Sequence, residues 1–127
     1  GLVDRLQELG LPVVGINSAE SPSMGATYLN LRAELWFKIK SWLESREVSL
    51  PNEDSLIAEL VAPRYQFTST GKMKLESKDD LKKRGVASPD MADALALTFA
   101  SEGVIGLKGR QSSNWGAPLK RNIRGIV

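Results

Sequence analysis

Hydrophobic positions along the chain recur at helical and strand spacings in alternating blocks. Apolar residues at helical spacing in the first turns, closed by Gly10, predict a short helix. The apolar run 11–16 lies between turn signals and predicts a buried strand. The polar stretch 17–25 contains Pro22 and Gly25 and predicts a loop, in which we expect Glu20 to be solvated. A helix, a glycine and a buried strand in this order are typical of an α/β protein.

The longest helix is predicted over residues 27–47, where apolar side chains form one stripe. The stripe comprises Tyr28, Leu31, Leu35, Ile39, Trp42 and Leu43. Trp36 and Phe37 widen it, and we interpret them as core residues, with a base-stacking platform as the alternative. A second, shorter helix is predicted over 53–62, ended by Pro63.

Two alternating segments, 64–68 and 72–76, flank a short turn containing Gly71 and predict a β-hairpin. Its polar face carries Arg64, Lys72 and Lys74. Such a face could bind the phosphates of a DNA backbone. Lysines on an exposed sheet edge also prevent aggregation by edge-to-edge pairing, which is the alternative interpretation. Both interpretations of the hairpin remain open at this point.

Two aspartates, Asp90 and Asp93, lie at the start of an otherwise almost wholly apolar helix. Ser88 is a good N-cap, Pro89 suits the first helical position, and a spacing of three places both aspartates on one face. The short segment 78–84, ended by Gly85, predicts a helix just before them. Because this last helix is apolar on most sides, we expect it to be buried.

Carboxylates among apolar side chains need a partner, and a divalent metal is one such partner. The basic run Lys82, Lys83 and Arg84 precedes the aspartates, and a metal near a basic patch indicates phosphodiester chemistry. Two structural alternatives stay open. Asp90 could only stabilise the first helical turn, and Asp93 could form a salt bridge, for example to Arg84.

Composition limits the size of the fold and the catalytic mechanisms that the chain could support. The 127 residues, 42% of them hydrophobic, suffice for at most one domain. The absence of Cys and His excludes Ser-His and Cys-His catalysis and His-rich zinc sites within this chain. Hydrolysis would therefore depend on carboxylates, Lys and a hard metal ion. We find no signal peptide and no apolar run long enough to span a membrane.

Charge is unevenly distributed along the chain. Residues 103–127 contain five basic residues and no acid. Because the whole chain has a net charge of +2, the preceding residues carry −3. The glycine-rich C-terminal segment lacks a sustained hydrophobic period and predicts an extended or disordered basic tail. It could bind nucleic acid or a protein, or have no partner, and Trp115 hints weakly at docking.

The run SKDDLKKRGVASPDMADALALTF resembles the end of the nuclease domain in large terminase subunits of tailed bacteriophages and prophages. The opening GLVDRLQELGLPVVGINSAESP and the helix NLRAELWFKIKSWLES resemble earlier parts of that domain. The SPDxADAL motif is fairly specific, whereas the N-terminal part is weaker alone. The resemblance covers roughly residues 1–101.

The resemblance implies an RNase H-like fold and an acidic cluster that binds two Mg²⁺ or Mn²⁺ ions. Asp90 and Asp93 match the cluster's last motif and are expected as metal ligands and catalytic residues. Two further acids are expected upstream of Gly1, together with an ATPase. Double-stranded DNA is the implied substrate, contacted by Lys72, Lys74, Lys82, Lys83 and Arg84. The implied protein partners are the portal and the small terminase subunit, at the procapsid in the host bacterial cytoplasm, with no membrane.

We therefore expect an α/β chain with a partial RNase H-like nuclease domain over residues 1–101 and a basic tail over 102–127. Three functions compete. The first is the C-terminal part of a metal-dependent endonuclease that cuts concatemeric viral DNA during packaging. The second is a catalytically incomplete fragment that only binds DNA or a protein. The third is an unrelated small α/β binding module.

Overall fold

A computed structural model describes residues 1–102 as five α-helices, a short 3-10 helix and a two-stranded sheet. The helices are α1 Leu2–Glu8, α2 Leu31–Glu44, α3 Asp54–Val61, α4 Lys78–Lys83 and α5 Asp90–Thr98. The strands are β1 Tyr65–Phe67 and β2 Met73–Leu75, and the 3-10 helix Phe99–Glu102 continues α5. The basic tail predicted from the sequence lies, from residue 103 onward, outside the described residues. Among residues 1–102, no helix is both long and apolar enough to cross a bilayer.

The core forms where α2 packs against α5. The small residues of this core, all alanines, belong to α5 and to the 3-10 helix that continues it. Large side chains of α2 meet alanines, which allow the two backbones to approach closely. The core residues are Leu31, Leu35, Trp36, Ile39, Ala92, Ala96 and Ala100. Helix α3 also packs on α5, and β2 packs on α2. The predicted core role of Trp36 is confirmed, since only 7% of it is exposed.

The predicted hairpin is confirmed as an antiparallel pair, β1 with β2, in which Tyr65 lies opposite Leu75. Gly71 in its turn has a φ of 79°, in the left-handed region that glycine adopts readily. On its other side, β2 forms a parallel bridge between Met73 and Tyr28. This bridge fixes the segment before α2 against the sheet.

The predicted strand at 11–16 is wrong for the described residues. The segment has no regular structure, and Leu11 and Val14 are about half exposed. A strand needs a neighbouring strand to accept and donate its backbone hydrogen bonds, and the described residues place none beside this segment. Helix α1 and its end at Gly10 are confirmed, but α1 buries no residue fully.

Two helix starts were predicted too early. Helix α2 begins at Leu31 because Asn30 is extended and caps the Ala33 amide, after Tyr28 has joined the sheet. It ends at Glu44, two residues before Arg46 adopts a left-handed φ of 61°. In α5 the N-cap is Pro89, not Ser88 as predicted, and the helix starts at Asp90.

The expectation that α5 is buried on most sides is only partly met. Ala92 and Ala96 are fully buried, whereas Met91 and Leu97 are more than a third exposed. The alanines pack against α2 in the core, and α3 also contacts α5, so burial is confined to part of the helix surface. Helix α4 and its end at Gly85, with a φ of 76°, are as predicted.

Candidate functional site at the start of helix α5

Asp93 is held by three donors from other parts of the chain. Arg32 Nε and Trp36 Nε1, both on α2, donate to its Oδ1 at 3.2 and 2.8 Å. Lys78 Nζ, at the start of α4, lies 3.1 Å from its Oδ2. The side chain of Asp93 is 20% exposed. The proposed structural salt bridge of Asp93 therefore exists, but with Arg32 and Lys78 in place of the suggested Arg84.

Lys78 joins the two aspartates, as expected if they share one face of α5. Its Nζ lies 3.1 Å from Asp90 Oδ1 as well as from Asp93 Oδ2. Hydrogen bonds to Asp90 and then to Asp93 raise the pKa of Lys78. The pKa of Asp90 is lowered, first by the Ser88 hydroxyl and then by Lys78. Asp90 is otherwise open to solvent, with its side chain 75% exposed.

A cavity of about 450 Å³ with charged, polar and apolar lining residues lies beside Asp93, and we call it the Asp93 cavity. Its charged lining residues are Arg32, Lys74, Lys78 and Asp93. Ser18, Asn30 and Ser77 add polar groups, and the remaining wall is apolar. The lining comes from α2, β2, α4 and α5 and from the segments before α2 and α4, so one strand of the hairpin and three helices meet at this cavity.

Arg84 is engaged in a hydrogen-bonded pair that the sequence did not reveal. Its Nε and Nη2 donate to the two carboxylate oxygens of Glu76 at 2.9 and 2.8 Å, and Nη2 also donates to the Ala62 carbonyl. This bidentate pair lowers the pKa of Glu76 to about 2. Arg84 therefore ties α4 to the end of β2 and to the end of α3.

The other predicted DNA-binding lysines lie in different places. Lys83 pairs with Asp80 at 3.1 Å, and Lys82 is exposed on α4. Lys74 lines the Asp93 cavity, whereas Lys72 lies in the hairpin just before β2, outside the cavity lining. Within residues 1–102, the ammonium groups of Lys72, Lys74 and Lys82 form no hydrogen bond or salt bridge. The structure thus brings Lys74 next to Asp93 and leaves the other lysines elsewhere.

Two charged residues of α2 were missed as site residues in the sequence. Arg32 is not among the predicted site residues, yet it contacts Asp93 and its Cζ lies 5.7 Å from the Trp36 ring centroid. Glu34 is buried and accepts hydrogen bonds from the Ser23 amide and hydroxyl. Burial raises the pKa of Glu34, but the bonds from Ser23 and Met24 outweigh it and lower the pKa overall. Both residues come soon after a polar loop in the sequence, and this position was the one signal that could have marked them as site residues.

A divalent metal would find part of a ligand set here. Asp90 and Asp93 supply carboxylate oxygens, the ligand type that Mg²⁺ and Mn²⁺ prefer. Within the part of the chain that the structure describes, no three acidic residues cluster closely enough to hold an ion. Glu59 approaches α5, but its carboxylate accepts the Ala92 amide at 2.9 Å. The described residues therefore fit an incomplete metal site and not a two-metal centre.

A second cavity, of about 370 Å³, is apolar and separate from the aspartates. It lies between α2 and the hairpin, with Trp36, Tyr65 and Leu75 among its lining residues. Its two charged lining residues form a salt bridge with each other, with Lys40 Nζ 2.5 Å from Glu44 Oε1. This cavity lacks an acid–metal arrangement and plays no part in the candidate site.

The structure is similar to solved structures of one phage protein. The nuclease domain of the large terminase subunit gp2 of bacterial virus Sf6, solved as a mutant with manganese, matches with a TM-score of 0.61 and 23% identity over 76% of this chain. The same domain in another solved structure matches with a TM-score of 0.54 and 25% identity over 65% of this chain. No protein-family profile and no curated protein matches the chain.

The chain spans 59% and 50% of the length of these two solved domains. The likeness therefore concerns part of that domain. The α/β class predicted from the sequence is confirmed, and so is the RNase H-like fold over the matched part. By its structure, the chain is similar to the nuclease domain of a phage large terminase subunit.

Proposed function

We propose that this chain is the C-terminal part of a phage terminase nuclease domain, a metal-dependent endonuclease that cuts concatemeric viral DNA during genome packaging. The observation that carries the proposal is the pairing of this fold with two aspartates at the start of α5, beside a cavity lined by cations. Phosphodiester hydrolysis needs carboxylates to hold metal ions and cations to hold the phosphate backbone. Both are close together at the Asp93 cavity.

In this proposal Asp90 and Asp93 are metal ligands for Mg²⁺ or Mn²⁺. Asp90 is the more accessible of the two, and Asp93 offers Oδ2, because its Oδ1 already accepts from Arg32 and Trp36. Manganese accompanies the similar Sf6 domain in its solved structure, which is consistent with a divalent ion here. The bound metal would activate water and stabilise the leaving oxygen. The complete site needs further ligands beyond these two aspartates.

Double-stranded DNA is the proposed substrate, with Lys72, Lys74, Lys82 and Lys83 as backbone contacts. Of these, Lys72, Lys74 and Lys82 are the better candidates, since Lys83 is already paired with Asp80. Arg84 also belongs to the predicted set, but its pairing with Glu76 favours a role in positioning α4. The basic tail over 102–127 would add non-specific affinity. The portal and the small subunit are proposed protein partners, in the host cytoplasm.

A second function is favoured by the incomplete ligand set. With two aspartates and a lysine between them, the chain by itself would bind DNA or a protein partner without cutting. We expect the isolated chain to show no robust nicking of plasmid DNA with Mg²⁺ or Mn²⁺. Metal-dependent nicking that disappears in Asp90→Ala would contradict this expectation and support a complete site.

Manganese binding tests the nuclease assignment without relying on catalysis. Mn²⁺ is paramagnetic, so its binding should broaden the backbone amide signals of Asp90 and Asp93 in the NMR spectrum of the chain. Asp90→Asn should abolish the broadening, whereas Asp79→Asn, an exposed acid on α4, should leave it unchanged. Broadening that is indifferent to Asp90→Asn would contradict the proposed ligand role.

A further inference from the structure

The Asp93 cavity carries an excess of positive charge. Arg32, Lys74 and Lys78 line it, and Asp93 is the one acid among the described lining residues. The charged lining groups sum to +2, with Asp93 shared by Arg32 and Lys78. Asp90, outside the lining, also pairs with Lys78, so a net charge of +1 remains when it is counted. Cations gathered in a cavity repel one another unless an anion joins them. The lining therefore favours a bound anion.

Arg32 adds an unused donor at the same place. Its Nε donates to Asp93 and its Nη1 donates to the Glu76 carbonyl at 2.9 Å. Its Nη2 is buried and has no hydrogen-bond partner. Buried donors are nearly always satisfied in folded proteins, so this nitrogen marks a shortage of acceptors around the guanidinium. An anion with several oxygens would relieve that shortage.

Lys74 supplies a second uncommitted cation. Its side chain is part of the cavity lining, half-buried on β2, and its ammonium forms no hydrogen bond or salt bridge among residues 1–102. Asp80 interacts with it electrostatically but is hydrogen-bonded to Ser77 and Lys83. Lys74 is therefore available for a ligand that enters the cavity.

We propose that the Asp93 cavity is a phosphate-binding site built from Arg32, Lys74 and Lys78. A tetrahedral phosphate fits easily in about 450 Å³ and offers oxygens to a guanidinium and to ammonium groups at once. The site could take a phosphodiester of DNA or free phosphate, which share this chemistry. The DNA form of the proposal rests on the proposed function, because it places one backbone phosphate within reach of the aspartates.

Titration of the chain with inorganic phosphate, followed by NMR at constant ionic strength in chloride, tests the site directly. The Trp36 indole and Arg32 Nε signals should shift with phosphate and not with added chloride. Lys74→Gln should weaken phosphate binding at least threefold. Lys40→Gln makes the same charge change outside the cavity and should have no effect. Arg32→Lys, which keeps the charge but removes the guanidinium, should also weaken binding.

A duplex oligonucleotide then distinguishes the two ligands. Lys74→Gln should weaken duplex binding and reduce the slope of log affinity against log salt by about 1, whereas Lys40→Gln should not. If phosphate shifts neither signal and Lys74→Gln matches Lys40→Gln for the duplex, the phosphate site and the DNA contact of Lys74 are wrong, whereas the metal-ligand roles proposed for Asp90 and Asp93 are unaffected. If phosphate binds as expected but no duplex binds, the site holds free phosphate and the DNA-cutting proposal fails.

Discussion

The indole N–H of Trp36 donates to Asp93 Oδ1 at 2.8 Å, which links the middle of α2 to the first turn of α5. Trp36 is at once a core residue and a direct partner of a candidate metal ligand. The core that stabilises the fold therefore also sets the orientation of this carboxylate. Arg32, one turn earlier on α2, donates to the same oxygen and leaves Oδ2 on the side of Lys78.

Trp36→Phe should lower the free energy of unfolding by about 2 kcal/mol, because a hydrogen bond to a charged group is lost in a partly buried place. Urea denaturation measures the loss. Trp42→Phe is the matched control, since Trp42 meets Phe99 edge to face, with ring centroids 5.6 Å apart, and forms no hydrogen bond through its indole nitrogen in the described part of the chain. Equal losses in the two variants would show that the bond to Asp93 contributes nothing.

Asp93→Asn should destabilise the chain more than Asp90→Asn. Removing the Asp93 charge leaves Arg32 half-buried without its ion-pair partner, and we expect a loss of about 2 kcal/mol, below the roughly 3–5 kcal/mol for fully buried pairs. Asp90 is largely exposed, so Asp90→Asn should change stability by less than about 0.5 kcal/mol. Thermal denaturation of both variants measures the two losses of stability. A neutral Asp93→Asn would mean that the ion pair is not structural.

Acid should weaken the fold through Glu76. Its pKa is lowered from 4.5 to about 2 by the hydrogen bonds from Arg84, so the folded state binds this proton less readily than the unfolded chain. The stabilisation is complete above pH 4.5 and is lost as the pH falls toward 2. Urea midpoints at pH 6 and pH 3 should differ less for Glu76→Gln than for the wild-type chain. Glu44→Gln, an exposed glutamate paired with Lys40, controls for the loss of a charge.

Lys78 should oppose metal binding, because its ammonium lies 3.1 Å from both candidate ligands. Lys78→Met removes that cation and should tighten Mn²⁺ binding by roughly three- to tenfold, or about 0.7–1.4 kcal/mol. Calorimetric titration with MnCl₂ measures the change. Lys82→Met, on the same helix but outside the Asp93 cavity, should leave the affinity unchanged. Weaker Mn²⁺ binding by the Lys78 variant would contradict the proposed competition.

Deletion of residues 103–127 should weaken duplex binding and leave the melting temperature nearly unchanged. The segment carries five cations and no acid, and each cation that meets a phosphate releases a counterion. Its removal should therefore flatten the salt dependence of binding, by up to about 4.5 in the slope of log affinity against log salt. Anisotropy titrations at several salt concentrations measure both quantities. A large fall in melting temperature would give the segment a structural role instead.

Local signals in the sequence were sufficient for several elements. Gly10, Gly71 and Gly85 were each placed at an element boundary or turn, and each adopts a left-handed φ there. The hairpin, the helix before Gly85 and the core side chains of α2 also follow from spacing alone. These features depend on neighbours within a few residues, which is why a pattern of residues specifies them.

Elements that depend on distant partners were predicted less well. The apolar run 11–16 looks like a strand, but the described residues offer it no strand to pair with. The start of α2 was misplaced because the bridge between Tyr28 and Met73, 45 residues apart in numbering, holds the preceding segment extended. Spacing rules contain no information about such long-range pairing.

For the candidate site, the sequence by itself determined the two aspartates, their shared helix face and the presence of a basic run nearby. Only the tertiary structure decided which cation meets which acid: Arg84 pairs with Glu76, while Arg32 and Lys78 hold Asp93. Arg32 and Asp93 lie 61 positions apart, and their contact exists because α2 and α5 pack through small residues. Ion pairs form between charged groups that the packed fold brings within a few ångströms of each other. The sequence therefore determines which charged groups are available, and the fold determines which of them become partners.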